Sequence, residues 1–90
     1  MSHTTESKSK LVARVRRIKG QVLAIEKALD SEQECFEILQ LMAATRGAIN
    51  GLMNELIEGH IRHHVLSAKP KPAEREGAQQ LIDIVRSYFK

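Results

Sequence analysis

A chain of 90 residues, 42% hydrophobic, with three aromatics and no tryptophan, reads as one small globular domain whose core is Leu, Ile, Val, Met and Ala, a composition that suits helices. One cysteine excludes a disulfide framework within the chain and fits a reducing cytosol, while the lack of a run of about 18 apolar residues excludes a transmembrane span and the polar MSHTTESKSK start lacks the apolar core of a signal peptide. The net charge of +3 is uneven, since residues 1–19 carry six cations against Glu6 alone; this suggests an anionic partner, nucleic acid first, or else a solvated helix face.

The first predicted helix runs from about Thr5 to Leu29. Leu11, Val15, Ile18, Val22, Ile25 and Leu29 recur at alternating spacings of four and three, a heptad-like apolar seam. Asp30-Ser31 breaks it. Ser31 to Glu34 matches a capping box, with Ser31 as N-cap.

The second helix is expected from Glu32 to about Leu66, where Pro70 and Pro72 end it. At about 1.5 Å per residue it spans roughly 50 Å, too long to bury itself in so small a protomer. Its apolar positions, Phe36, Leu39, Met42, Ile49, Leu52, Met53, Leu56 and Ile57, need a partner. Its middle, residues 43–51, is rich in small side chains. Gly47 and Gly51 cost helix propensity there, and close helix packing is a reason for their presence. The third helix starts near Pro72, a favoured first-turn residue, and runs to Phe89. Leu81, Ile84, Val85 and Tyr88 form its apolar face. Lys69-Pro70-Lys71-Pro72 is the linker before it.

Three of the four histidines fall in EGHIRHH, residues 58–64. His60 and His64 share a face of a regular helix; His63 and Arg62 lie off that face. Two imidazoles hold a metal weakly, so further donors are needed. A short turn makes the first two helices antiparallel neighbours. Residues whose numbers sum to about 62 then lie side by side, which sets His3 against His60. Cys35 is roughly 37 Å from His60 along one helix, beyond reach within one chain. Two antiparallel copies of the second helix change this. The midpoints of Cys35 with His60 and with His64 both fall between Gly47 and Gly51. A two-fold dimer crossing there forms a four-helix bundle and gathers His3, Cys35, His60 and His64 at two equivalent sites. Each residue also has a plainer role. A lone cysteine is often a small buried hydrophobe, a histidine pair near a helix C-terminus complements the dipole, and His3 can belong to a frayed end.

The stretches RVRRIKGQV (14–22), ECFEILQ (34–40), AATRGAINGLMNELIEGHI (43–61) and LIDIVRSYFK (81–90) resemble the CsoR/RcnR/FrmR family of bacterial metal- and formaldehyde-responsive repressors. The resemblance covers most of the chain. It implies an all-α, three-helix protomer that pairs into antiparallel dimers and assembles as a disc-shaped homotetramer. It also implies a cytoplasmic repressor, one domain over residues 1–90, that binds operator DNA when effector-free and releases it when the effector binds, derepressing efflux or detoxification genes. Copper sensors of the family carry a second cysteine where this chain has His64, and soft Cu(I) favours thiolates. The His3, Cys35, His60, His64 set matches the nickel/cobalt branch, so Ni(II) or Co(II) is the expected effector, with Zn(II) also taken in vitro. RVRRIKGQ is closer to the formaldehyde-sensing branch, in which the cysteine thiolate and the N-terminal amine react with formaldehyde. That branch typically has proline at position 2 and glutamate in place of His64, where this chain has Ser2 and His64. The alternative stays open.

Given that DNA role, Lys10, Arg14, Arg17 and Gln21 fall within about 60° on the first helix, beside its apolar seam, and are the expected phosphate contacts. Arg46 is a candidate to extend the stripe; its other reading is an ion pair with a neighbour's glutamate. The switch expected from this map is that metal ties the His3 arm to the second helix and to the partner's cysteine, biasing the assembly away from its DNA-binding shape. No Ser/His/Asp set, paired-carboxylate signature or glycine-rich phosphate loop is present, so an enzyme is not expected. A helical bundle that only binds partners, or a metal store, leaves the basic first helix or the histidines without a role.

Overall fold

The structure is a computed structural model that describes residues 8–66 and 68–89. Among the described residues there are three α-helices and no strand: α1 (Lys8–Asp30), α2 (Cys35–His60) and α3 (Pro72–Tyr88). A single π-helical turn, Ile61–Val65, continues α2. The expected start of the first helix at Thr5 lies outside the described residues.

The second helix differs from expectation at both ends. Ser31 does not cap it. Its hydroxyl donates to the Lys27 carbonyl at 2.8 Å and so completes the end of α1. The Gln33 N–H donates to Ala28 O and the Glu32 N–H to Leu29 O, the paired bonds of a Schellman motif. Glu32 takes the left-handed position, φ 55°, usually given to glycine. These bonds consume the residues expected to open α2, so α2 begins at Cys35 behind Glu34, whose side chain makes no cap hydrogen bond. At the far end the Leu66 N–H reaches Ile61 O, five residues back. Regular α geometry therefore stops at His60 rather than running to Leu66. α3 begins as expected: Pro72 is at its first position, and the Lys71 N–H donates to Glu74 Oε1 at 2.8 Å.

α1 and α2 pack antiparallel, with Lys10 beside Glu55 and Arg14 beside Gly51. The apolar seam of α1 divides between two surfaces. Leu11 is buried and Ile18 and Ile25 are half-buried against α2, while Val15, Val22 and Leu29 are at least half exposed. α2 divides likewise. Thr45 is buried in the inner row with Ile38, Leu41, Ala48 and Leu52, and its hydroxyl is satisfied by the Leu41 carbonyl. Leu39, Met42, Ile49 and Met53 form an exposed outer row, with Arg46 in register among them. On α3 the face expected from sequence is largely outward: Leu81, Ile84 and Tyr88 are exposed, and Ile82, 1% exposed, is the residue that packs inward. Only the side of α3 that meets α2 and the π turn finds partners within the protomer.

The outline reflects this. The Cα trace measures 56 × 25 × 12 Å, with a radius of gyration of 17.1 Å, against about 12 Å for a compact chain of this length. The protomer is a thin plate with exposed apolar residues on all three helices.

Candidate metal centre and nucleic-acid interface

The basic residues of α1 come together along the α1–α2 groove. Lys10 Nζ lies 3.1 Å from Glu55 Oε1, and Arg14 Nη1 lies 3.0 Å from Glu55 Oε2. Arg14 passes beside Gly51, where a Cβ would sit 3.7 Å from Arg14 Nη1, an ordinary contact distance. Arg14, Arg17 and Gln21 then line a groove of about 360 Å³ floored by Ala44, Gly47, Ala48 and Gly51. Lys10, Arg14 and Arg17 thus share one surface. Arg46 does not join them within the protomer. It lies roughly 100° or more around α2 from Gly47 and Gly51, on the outer apolar row.

The metal-ligand candidates are spread out. Cys35 is an exposed free thiol in the first residue of α2. His60 is the last residue of the same helix, roughly 37 Å away. Among the described residues no group of three or more His, Cys, Asp or Glu is close enough to hold a metal ion. His3 and the His64 side chain lie outside the described residues. The backbone of His64 sits in the π turn. π turns of this kind recur at functional sites.

Two acidic residues outside the expected site, Glu55 and Glu58, organise the region. Glu55 joins α2 to α1, as above. Glu58 joins α2 to α3: Arg86 Nη2 donates to its Oε2 at 2.6 Å, and Arg62 Nε donates to its Oε1 at 3.3 Å. Burial pushes the Glu58 carboxyl up, but the hydrogen bonds and charges of Arg86 and then Arg62 outweigh it and hold the group below the usual carboxylate range. Arg62 also donates to Gln79 Oε1, and Gln79 to Asp83. The EGHIRHH stretch is thereby bolted to α3 by its own first and fifth residues. Glu58 and Arg62 stand at i, i+4 in the favourable order, a signal present in the sequence. The antiparallel register is offset from the expected one: Lys10 meets Glu55 and Arg14 meets Gly51, pairs that sum to 65 rather than 62.

Comparison with known proteins gives a consistent result. Residues 7–87 match the family described as metal-sensitive transcriptional repressor. A protein from the bioA 5′ region of Serratia marcescens is 53% identical over the full length of both chains. The transcriptional repressor RcnR of Salmonella typhimurium is 43% identical, again over the full length of both. A solved structure of the formaldehyde-responsive regulator FrmR from Salmonella enterica serovar Typhimurium, a variant with histidine in place of a glutamate, is 42% identical. It superposes with a TM-score of 0.68, covering 98% of this chain and 99% of that one.

Proposed function

The chain belongs to the metal-sensitive transcriptional repressor family, a family of regulators rather than enzymes, and we propose from this premise that it represses efflux or detoxification genes and releases operator DNA on binding Ni(II) or Co(II). In this reading residues 1–90 act as one metal-sensing, DNA-binding unit in the cytoplasm. No helix among the described residues is long and apolar enough to cross a membrane.

One observation carries the metal reading. Cys35 and His60 stand at opposite ends of one unbroken helix, and its exposed outer row, Leu39, Met42, Ile49 and Met53, is symmetric about Arg46. That centre is close to the midpoint of Cys35 and His60. An antiparallel second copy that covers the row therefore brings its Cys35 toward His60 of the first. His3, Cys35, His60 and His64 are the ligands we assign. One thiolate and several imidazoles suit borderline ions such as Co(II), Ni(II) and, in vitro, Zn(II). When bound, the metal supplies a cross-link between chains. The protein's own part is to hold the two ends of α2 in register and to carry any shift to α1 and α3 through Glu55 and Glu58. Further exposed apolar residues, Val15, Val22 and Ile84 among them, support assembly beyond the dimer to a disc-shaped homotetramer.

Lys10, Arg14 and Arg17 are the proposed phosphate contacts, with specificity leaning on DNA shape as well as base edges in the absence of a recognition helix. Arg46 enters this interface only through the assembly, because it lies on the outer row.

A second reading rests on Cys35, which is exposed. Its thiolate can add to the carbonyl carbon of formaldehyde; the N-terminal amine then condenses with the adduct, losing water, to close a methylene bridge. Release of bound DNA, titrated in parallel with Co(II), Ni(II), Zn(II), Cu(I) and formaldehyde, decides between the two. Release by cobalt or nickel that is lost in His64→Glu supports the metal reading. Release by formaldehyde alone overturns it.

A further inference from the structure

Glu55 holds both of the cations at the N-terminal end of the proposed DNA surface. Its two oxygens divide between Lys10 Nζ at 3.1 Å and Arg14 Nη1 at 3.0 Å. The carboxylate is the more sheltered partner: its side chain is 28% exposed, against 70% for Lys10 and 45% for Arg14. All three line one open groove with Gly51, Asn54 and Glu58. The groove is about 510 Å³ and leaves the cations reachable from solvent.

A carboxylate and a phosphate ask the same thing of a lysine or arginine: charge-assisted N–H donors aimed at paired oxygens. The contacts with Glu55 are ion pairs, and its Oε2 has no hydrogen-bond partner; what the carboxylate and a phosphate compete for is therefore the position and charge of the two cations. We propose that Glu55 is an internal competitor of the DNA phosphates, a built-in phosphate mimic that lowers affinity for DNA by occupying Lys10 and Arg14. This deepens the repressor reading and rests on it. Glu55 lies little more than one turn before His60 on α2. A movement of this end of α2 that brings Glu55 closer to α1 withdraws Lys10 and Arg14 from DNA; a movement away presents them. The exchange of partners is reciprocal, so DNA that takes the two cations also frees α2 from α1 at this point.

The test uses the full-length protein, without added metal, and random-sequence duplex DNA, with affinity measured across a salt series. Glu55→Gln keeps the shape and removes the charge. It is expected to bind about five- to tenfold more tightly at 0.1 M salt, with a log–log salt slope steeper by about one. Glu55→Asp keeps the charge and is expected to behave as wild type. Glu55→Ala should move in the same direction as Glu55→Gln, with helical content by circular dichroism confirming that both variants fold. In a Lys10→Gln, Arg14→Gln background the gain from Glu55→Gln should vanish, because no cation remains to be released. Unchanged or weaker binding by folded Glu55→Gln, beside a wild type that binds with a clear salt slope, overturns the competition and leaves Glu55 as a scaffold. A wild type with no salt-dependent binding overturns the DNA reading together with this one.

Discussion

Arg86 of α3 and Glu58 of α2, 28 residues apart in the chain, are joined by a 2.6 Å hydrogen bond between unlike charges. Arg62 meets the other oxygen of the same carboxylate, so one side chain fixes the last turn of α2, the π turn and α3 together. Glu58→Gln is expected to lower stability by about 1 kcal/mol, the upper range for partly exposed pairs, in urea unfolding at fixed protein concentration. Arg86→Gln should cost a similar amount. The double variant should cost less than the two together, because both remove the same bond.

Glu32 occupies a left-handed backbone position, φ 55°, at the end of α1. A side chain there costs about 1 kcal/mol relative to glycine. Glu32→Gly should therefore stabilise the protein by about that amount and raise its melting temperature, without changing its assembly state by sedimentation.

Assembly should depend on the outer row of α2. Met42→Glu and Ile49→Lys each place a charge on a row that is apolar except for Arg46. Sedimentation should show both shifted toward smaller species, while circular dichroism shows the helices retained at high concentration. If both variants keep the wild-type mass, the row is not the dimer surface.

Ligands shared between chains have a signature in mixtures. Cys35→Ala and His60→Ala alone should each lose tight cobalt binding. Mixed and re-equilibrated, they should regain one intact site in each heterodimer, the one built from the cysteine and the histidine that remain. Titration with Co(II), followed by its thiolate charge-transfer absorbance, should recover a signal that neither variant gives alone. No recovery would mean that Cys35 and His60 do not share a metal across chains.

Neutralising a phosphate contact lowers the salt slope of DNA binding by about 0.9 per contact. Arg17→Gln should show this drop. Arg46→Gln separates its two readings: a lower slope places it on DNA, and an unchanged slope with weakened self-association places it in the subunit interface.

The helices were legible because their apolar positions repeat with helical spacing, and Pro72 and the Asp30-Ser31 break are strong local signals. The join between α1 and α2 was misread for a specific reason. Ser31 suits an N-cap by its sequence context, but its hydroxyl is equally able to serve the carbonyls behind it, and the turn geometry decided for Lys27. The π turn has no composition signature, and its extra residue per turn is invisible to a pattern read at 3.6. On α3 the sequence showed an apolar stripe but not which edge of it faces the protomer, so Ile82 was passed over. Cys35 and His60 were correctly read as too far apart within a chain, because helix rise alone fixes that distance. Glu55 and Glu58 were overlooked because acidic residues on a basic protein look like solvated surface until the opposing helix is in place.

The Cα trace is 12 Å through its thinnest direction, and among the described residues a single copy buries only Leu11, Ala28, Thr45, Ile61 and Ile82. If the proposed assembly covers the exposed rows, each molecule is better protected from proteases where the protein is abundant than where it is scarce.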